Sequence, residues 1–267
     1  MRKRLPIAFL SVMMLCFTIF VNPIYAKNGD TTISKAAVNQ NDSGIVTIYL
    51  IRHGQTILNL HDRAQGWADG PLTSSGEELI KRVGRGLTDV LFVGAYSSDS
   101  GRARQTAKLI LGENQTNAKD LHLIENQGIR EVYFGKFEGE KMGVLWKLAA
   151  NHLELRNERE FFTRVDHPYK ELIKILSELD ESGEAESYQE LTDRTFKGFN
   201  EIAEQVYKNG GGDILVVSHG ITINAILEKI DESKVPKEIC KNGSVSKLEF
   251  DGKDWKVKEV NEMKYAQ

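Results

Sequence analysis

Cysteine is nearly absent from this sequence. Of 267 residues only Cys16 and Cys240 are cysteines, and Cys16 lies in a hydrophobic N-terminal segment. If that segment is removed, Cys240 remains alone, so an internal disulfide is excluded and the hydrophobic core must supply the stability. Paired cysteines and the H-E-x-x-H pattern, which mark many metal sites, are missing as well. We therefore expect neither a disulfide framework nor a metal centre.

An excess of positive charge is missing too. The chain has 35 lysines and arginines against 38 aspartates and glutamates. Removing residues 1–26 takes away three basic and no acidic residues, which leaves a net charge of −6. An acidic surface argues against nucleic acid or an anionic membrane as the main partner. No internal repeat with a period of about 20–50 residues is present, so a repeat architecture is not expected.

The N-terminus has the pattern of a secretory signal peptide. Basic residues at positions 2–4 precede an apolar run from Leu5 to Val21, and a small residue follows at Ala26. We expect cleavage after Ala26, and hence a secreted or extracytoplasmic protein at the cell surface or in the periplasm. The run is longer than the roughly 7–15 residues of a typical signal and shorter than the ~20 of a comfortable bilayer span. An uncleaved N-terminal anchor, which would tie the protein to a membrane, remains the alternative.

The 241 residues after position 26 suffice for one α/β domain. Residues 27–44 are polar and without apolar periodicity, which predicts a flexible lead-in. Short apolar runs over 45–51, 91–98 and 213–220 predict buried strands, each followed by a helical segment. A tail that alternates around Asp251 and Gly252 predicts a hairpin. This order predicts a mainly parallel sheet, covered on both faces, with an antiparallel edge.

Two of the predicted strands end in the same dipeptide. His53-Gly54 follows the first strand and His219-Gly220 follows the strand at 214–217. Ligands of parallel α/β sheets bind outside the carboxyl ends of the strands, so both imidazoles are expected in one crevice. The glycines allow a ligand to approach the backbone closely. One such histidine is typical of a buried polar residue, but two favour a site for an anion.

Five motifs occur in order along the chain: "LIRHGQTILN", "QGWADGPLTSSG", "SSDSGRARQTA", "IREVYFGKFEG" and "VVSHG". Together they resemble the successive motifs of the histidine phosphatase superfamily, in its phosphoglycerate-mutase-like branch, over nearly all of residues 45–260. The resemblance implies a three-layer α/β/α sandwich over 45–267, a phosphohistidine intermediate, and no metal or other cofactor. The charged, helical stretch 138–186 interrupts the alternation and is expected to be a cap insertion over the site.

The resemblance also implies roles for individual residues. His53 is the expected nucleophile, and His219 is expected to donate a hydrogen bond to the transferring phosphoryl group. Arg52 and Arg102 are expected to keep the pKa of His53 low and to bind the phosphoryl oxygens bidentately. Glu131 is expected to protonate the leaving group, which calls for a pKa raised to about 6–7.

Further positions are expected to bind the substrate or line the pocket: Asn59, Gln65, Gly66, Arg63 and Gly220. Arg104 is two residues beyond Arg102 on a helix, so it cannot face the same way and is expected at the surface or in an ion pair.

Two alternatives to these roles stay open. Without the motif, Glu131 is more simply a surface carboxylate paired with Arg130. The acid phosphatase and phytase branch of the superfamily carries R-H-G-x-R-x-P, which "RHGQTIL" does not match.

The expected function is an exported phosphomonoesterase that acts on a small-molecule phosphate ester. One alternative is a phosphoglycerate mutase, which export and the short insertion argue against. The other is a binding module that keeps the fold without activity, although such relatives typically lose the nucleophile or the donor. Whether Arg63, His61 or the lysines at 136, 141 and 147 contact the substrate is open. His122, His152 and His167 are expected at the surface.

Overall fold

The computed structural model describes residues 44–116 and 118–267. The predicted signal peptide and all but the last residue of the predicted lead-in lie outside the described residues.

Six strands form one sheet within the described part of the chain: β1 Val46–Arg52, β2 Phe92–Ser97, β3 Leu123–Glu125, β4 Gly212–Ser218, β5 Val245–Phe250 and β6 Trp255–Glu262. Their order across the sheet is β3-β2-β4-β1-β5-β6. The first four strands are parallel, whereas β5 runs antiparallel to β1 and β6 antiparallel to β5. The predicted mainly parallel sheet with an antiparallel edge hairpin is confirmed.

Helices cover both faces of this sheet. The helices of the described residues are α1 Ile57–Leu60, α2 Ser74–Gly86, α3 Gly101–Glu113, α4 Met142–His152, α5 Glu158–Arg164, α6 Pro168–Leu179, α7 Tyr188–Lys208 and α8 Gly220–Asp231. In β1, Ile48 and Leu50 pack with α7 and α8, while Tyr49 and Ile51 pack with α2 and α3. Because successive side chains of a strand point to opposite faces, a continuous apolar run is required when both faces are buried.

A threonine hydroxyl caps the start of helix α2. The helix begins after Thr73, whose hydroxyl accepts the N–H of Gly76 at 3.0 Å. The carboxylate of Glu77, in the first turn, accepts a bond from the side chain of Gln105. The start of a helix can be satisfied by any suitable acceptor nearby, so only the contacts decide which one is used.

The stretch 138–186 folds into helices α4, α5 and α6, as its pattern predicts. They share a third hydrophobic cluster, with Leu145 from α4, Phe161 from α5 and Leu172 from α6. This cluster also includes Val132 and Ile221, which lie beside the carboxyl ends of the strands. The helical insertion is therefore packed over the edge of the sheet at which a ligand is expected.

Candidate active site

The carboxyl ends of β1 and β4 bring two histidines together. The strands are parallel neighbours, with Arg52 of β1 in register with Ser218 of β4. The residues that follow them, His53 and His219, have ring centroids 5.2 Å apart. Their residues are 3% and 0% exposed, respectively. Two imidazoles far apart in sequence thus form one buried pair.

The environment of His53 favours a neutral ring with one nitrogen available. Its Nδ1 lies 2.8 Å from the carbonyl oxygen of Gly54. A carbonyl can only accept, so Nδ1 carries the proton and Nε2 keeps its lone pair. Burial, followed by the positive charges of Arg102 and Arg52, holds the pKa of His53 well below its usual value. The imidazole is therefore unprotonated on Nε2 at neutral pH.

His219 is the residue before helix α8, and its ring is also held neutral. Burial is the largest cause of its lowered pKa, and the charge of Arg102 is the next. Among the described residues, neither of its ring nitrogens has a hydrogen-bond partner. A buried imidazole without partners is costly, so it calls for an explanation beyond packing.

Other buried donors around the pair are also unpartnered. Within the described part of the chain, the Nε atoms of Arg52 and Arg102 and the Nε2 atom of Gln65 have no acceptor. The two guanidiniums couple electrostatically to both histidines. Several buried donors without acceptors in one region are typical of a site that binds an anion.

Arg52 is held in place by the segment that precedes β5. Its Nη1 donates to the carbonyl oxygen of Cys240 at 2.6 Å. Gly220 lies directly against the guanidinium, since a Cβ at that position would be 3.2 Å from Cζ of Arg52. That Gly220 lines the pocket stays a prediction. What the structure shows is that the missing side chain leaves space for the Arg52 guanidinium.

Arg102 is completely buried, and its contacts differ from the expected bidentate grip on phosphoryl oxygens. Nη1 donates to Ala68 at 3.0 Å and to the Asp69 carboxylate at 3.1 Å, and Nη2 donates to the carbonyl oxygen of Gly66 at 2.7 Å. Because both terminal nitrogens are bound to this loop, Nε is the nitrogen left for a ligand. Asp69 also accepts the N–H of Gly101 at the start of helix α3, where the side chain of the N-cap residue Ser100 makes no capping hydrogen bond.

Glu138 organises the loop that holds Arg102. Its carboxylate accepts the N–H groups of Gly66, Trp67 and Ala68 at 2.8–3.1 Å, and that of Phe134 at 3.1 Å. The N–H of Gly66 is thus not free for a ligand. Sequence reasoning missed Glu138, although its place in the fourth motif, "IREVYFGKFEG", was a usable signal.

Glu131 is 6% exposed and does not pair with Arg130. Arg130 pairs with Asp99 instead, so the surface interpretation of Glu131 is wrong. Oε1 accepts bonds from the backbone N–H groups of Val132 and Thr222, and from the Thr222 hydroxyl, at 3.0–3.1 Å. Oε2 accepts one bond, from the N–H of Ile221 at 3.1 Å. Oε2 is therefore the oxygen with capacity left for a proton.

Asn59 and Gln65 lie beside His53 and are held in place by other side chains. Oδ1 of Asn59 accepts bonds from the N–H of Thr56 and from Asn242, both at 3.2 Å. Oε1 of Gln65 accepts a bond from the Thr56 hydroxyl at 2.6 Å. In both amides the oxygen is occupied, which directs the NH₂ group as the donor for a ligand. Asn242, which sequence reasoning missed, also donates to the carbonyl oxygen of His53.

A cavity of about 220 Å³ opens at this cluster. It is lined by Arg52, His53, Asn59, Asp62, Arg63, Ala64, Gln65, Glu131, Phe134, Met142, Trp146, Tyr169, Ile221, Ile239 and Asn242. A second cavity of about 250 Å³ lies beside His219 and Glu131 and is bordered by Gly66, Trp67 and the loop after β2. Glu131 lines both cavities.

The structure distinguishes among the residues whose contact with substrate was left open. Arg63 lines the first cavity and donates through Nη1 to the carbonyl oxygen of Gly139 at 2.7 Å. His61 is exposed, and the lysines at 136, 141 and 147 are exposed and line neither cavity of the described residues. Arg104 forms an ion pair with Glu125 at 3.5 Å, as expected, and borders the second cavity.

No group of three or more histidine, cysteine, aspartate or glutamate side chains in residues 44–116 and 118–267 is arranged to hold a metal ion. Over the same ranges, no helix combines the length and the apolar character needed to cross a bilayer.

Comparison with known proteins identifies this arrangement. The family model of the histidine phosphatase superfamily, branch 1, matches residues 48–263. The chain belongs to the histidine phosphatase superfamily. The match includes all five motifs and every residue of the cluster described above.

Relatives within the superfamily include both mutases and phosphatases. The chain is 38% identical to a phosphoglycerate mutase from Bacillus anthracis strain Sterne, whose crystal structure superposes with a TM-score of 0.78 over 84% of this chain and 96% of that chain. It is 27% identical to the uncharacterized phosphatase PhoE of Bacillus subtilis, over 81% of this chain and 95% of the relative. It is 28% identical to 2,3-bisphosphoglycerate-dependent phosphoglycerate mutase 2 of Gloeobacter violaceus, over 72% and 82% of the two chains.

Proposed function

We propose that this protein is a phosphomonoesterase that hydrolyses small-molecule phosphate esters through a phosphohistidine on His53. The observation that carries this proposal is the buried pair of neutral imidazoles, 5.2 Å apart, among unpartnered donors. One imidazole has a free lone pair for attack, and the surrounding N–H groups match the oxygens of a phosphoryl group.

In the first step, Nε2 of His53 attacks phosphorus and the bond from phosphorus to the ester oxygen breaks. Arg52, Arg102 and His219 stabilise the phosphoryl oxygens as charge shifts between them. The departing oxygen takes a proton from Glu131, which we place on Oε2 because that oxygen accepts a single hydrogen bond. The product alcohol leaves, and phosphorylated His53 remains.

In the second step, water replaces the alcohol. Glu131, now a carboxylate, removes a proton from the water as its oxygen attacks phosphorus. The bond from phosphorus to Nε2 breaks, inorganic phosphate is released, and the original protonation states return. The second cavity, which Glu131 also lines, supports a path for this water.

A mutase is the second candidate, because a phosphoglycerate mutase is 38% identical to this chain. The two functions differ in what accepts the phosphoryl group from His53, which is water in one and a second hydroxyl in the other. Supplying 3-phosphoglycerate with 2,3-bisphosphoglycerate distinguishes them. Release of inorganic phosphate without 2-phosphoglycerate supports the hydrolase, and rapid formation of 2-phosphoglycerate overturns it.

The phosphohistidine is tested with His53→Ala. The unmodified protein should release phosphate from p-nitrophenyl phosphate, form an acid-labile phosphoprotein, and keep its activity in EDTA. His53→Ala should lose both turnover and labelling, whereas His61→Ala, a change of an exposed histidine, should keep them. Activity that survives in His53→Ala, or that EDTA removes, would contradict the mechanism.

We also propose that the protein is exported. The support is the sequence pattern of residues 1–26. Expression in the native host, fractionation and sequencing of the mature N-terminus test this. A mature protein that begins at Lys27 outside the cytoplasm is the expected result, and an intact Met1 in the cytoplasmic fraction refutes it.

A further inference from the structure

The cavity beside His53 is lined by both polar and apolar side chains. The polar side chains include the residues assigned above to the phosphoryl group. The apolar wall consists of Ala64, Phe134, Met142, Trp146, Ile221 and Ile239, together with the ring of Tyr169. The part of the ester beyond the phosphoryl group would contact this wall.

The apolar wall is firmly packed. Trp146 is 8% exposed and contacts three aromatic rings, those of Phe161, Phe162 and Tyr169, with centroids 4.7–5.8 Å apart. Ring contacts of this kind fix the orientation of the Trp146 side chain. This part of the wall is therefore in place before a ligand binds.

The charges in this cavity do not favour a second anionic group. Arg52 is assigned above to the phosphoryl group, and Arg63 already donates through Nη1 to the carbonyl oxygen of Gly139. The acidic residue Asp62 lines the same cavity. An additional carboxylate or phosphate on the substrate would be desolvated against apolar groups. The cation available to balance its charge would be Arg63, which already makes one hydrogen bond.

We propose that the substrate is a phosphate monoester whose alcohol part is apolar, uncharged and about the size of one ring. This inference rests on the proposed hydrolase function and names its substrate class. The cavity of about 220 Å³ is smaller than the roughly 300–1,000 Å³ of pockets that hold drug-sized ligands, which sets the limit on size.

The test compares benzyl phosphate with 4-carboxybenzyl phosphate. Both release a benzylic alcohol, so the chemistry at phosphorus is matched and the added carboxylate is the variable. We expect kcat/KM for benzyl phosphate to be at least about tenfold higher, the scale of discrimination that one pocket contact provides. Equal values, or a preference for the carboxylate, would overturn the inference.

A variant pair checks that the apolar wall causes this preference. Met142→Lys introduces an ammonium group into the wall and should reduce the ratio severalfold by improving turnover of 4-carboxybenzyl phosphate. Val144→Lys is the matched control, because Val144 is exposed on the same helix and does not line the described cavity. An unchanged ratio in Met142→Lys, or the same shift in Val144→Lys, would refute the assignment.

Failure of the inference and failure of the proposed function give different results. If p-nitrophenyl phosphate is hydrolysed and His53 is labelled while the anionic ester is preferred, the substrate class alone is refuted. If no ester is hydrolysed and no phosphohistidine forms, both are refuted. The comparison of the two esters uses the unmodified protein, so it does not depend on the folding of any variant.

Discussion

Acidification should destabilise this protein through its histidine pair. In the unfolded chain, His53 and His219 take up protons as the pH falls below about 6.5. In the folded protein their pKa values lie well below that, because both rings are buried beside Arg102 and Arg52. The unfolded state then binds more protons than the folded state. Stability contributed by the two neutral rings is therefore present above about pH 6.5 and is lost as the pH falls.

The size of the effect follows from proton linkage. Between about pH 7.5 and 5.5, an unfolded histidine goes from about one-tenth to about nine-tenths protonated, while the folded one, with its lowered pKa, binds fewer protons. Integration over this window gives a loss of unfolding free energy of up to roughly 1–2 kcal/mol for each histidine, and up to about 3 kcal/mol for the pair.

Urea denaturation at the two pH values measures this loss, and variants assign it. His219→Gln should reduce the difference in unfolding free energy between the two pH values by up to roughly 1–2 kcal/mol, and His53→Gln by a similar amount. Other titrating groups are common to all the proteins and cancel in the comparison. His61→Gln, which changes an exposed ring, serves as the control. If the two site variants keep the full pH dependence, the rings are not held neutral and the account of the site is incorrect.

Three further predictions concern the carboxylates and the loop. Glu131→Gln should reduce turnover of alkyl phosphates by about 10²–10⁴-fold. Turnover of p-nitrophenyl phosphate should fall much less, because nitrophenolate leaves without a proton. Equal losses for both substrates in steady-state assays would show that Glu131 is not the proton donor. Gly66→Ala should lower the unfolding free energy by about 1–3 kcal/mol in urea, because its methyl group would collide with Val132 O and Glu138; unchanged stability would contradict this packing. Glu138→Ala should leave backbone N–H groups without their acceptor, which should lower the unfolding free energy by about 1–3 kcal/mol for each group and should also lower kcat. Glu140→Ala, which removes a contact to a neighbouring N–H, is the control and should have neither effect. A normal kcat in Glu138→Ala would show that the loop does not position Arg102.

Local patterns were sufficient for most of the fold. The continuous apolar run of β1 predicted a strand buried on both faces, and its side chains do alternate between two clusters. The alternating tail around Asp251 and Gly252 predicted the hairpin of β5 and β6. Such patterns depend on the period of a strand or helix, which is encoded by neighbouring residues.

Contacts between distant residues could not be predicted in this way. Both Glu131 and Glu138 occur in one motif, yet one binds the start of helix α8 and the other binds the loop after Gln65. Neither partner is near in sequence, so no local period reveals the difference. The same holds for Asn242, which is 183 residues from its partner Asn59.

The sequence by itself determined the order of the motifs, the alternation of strands and helices, and the presence of two histidines after two parallel strands. Those features are local, because they depend on residue types at short spacing. Only the tertiary structure decided that Arg102 binds the loop through its terminal nitrogens and that Glu131 lies at the start of helix α8. It also decided that apolar side chains line the same cavity as His53. Side-chain direction and hydrogen-bond partners are set by packing between distant segments, and this packing exists only in the folded chain.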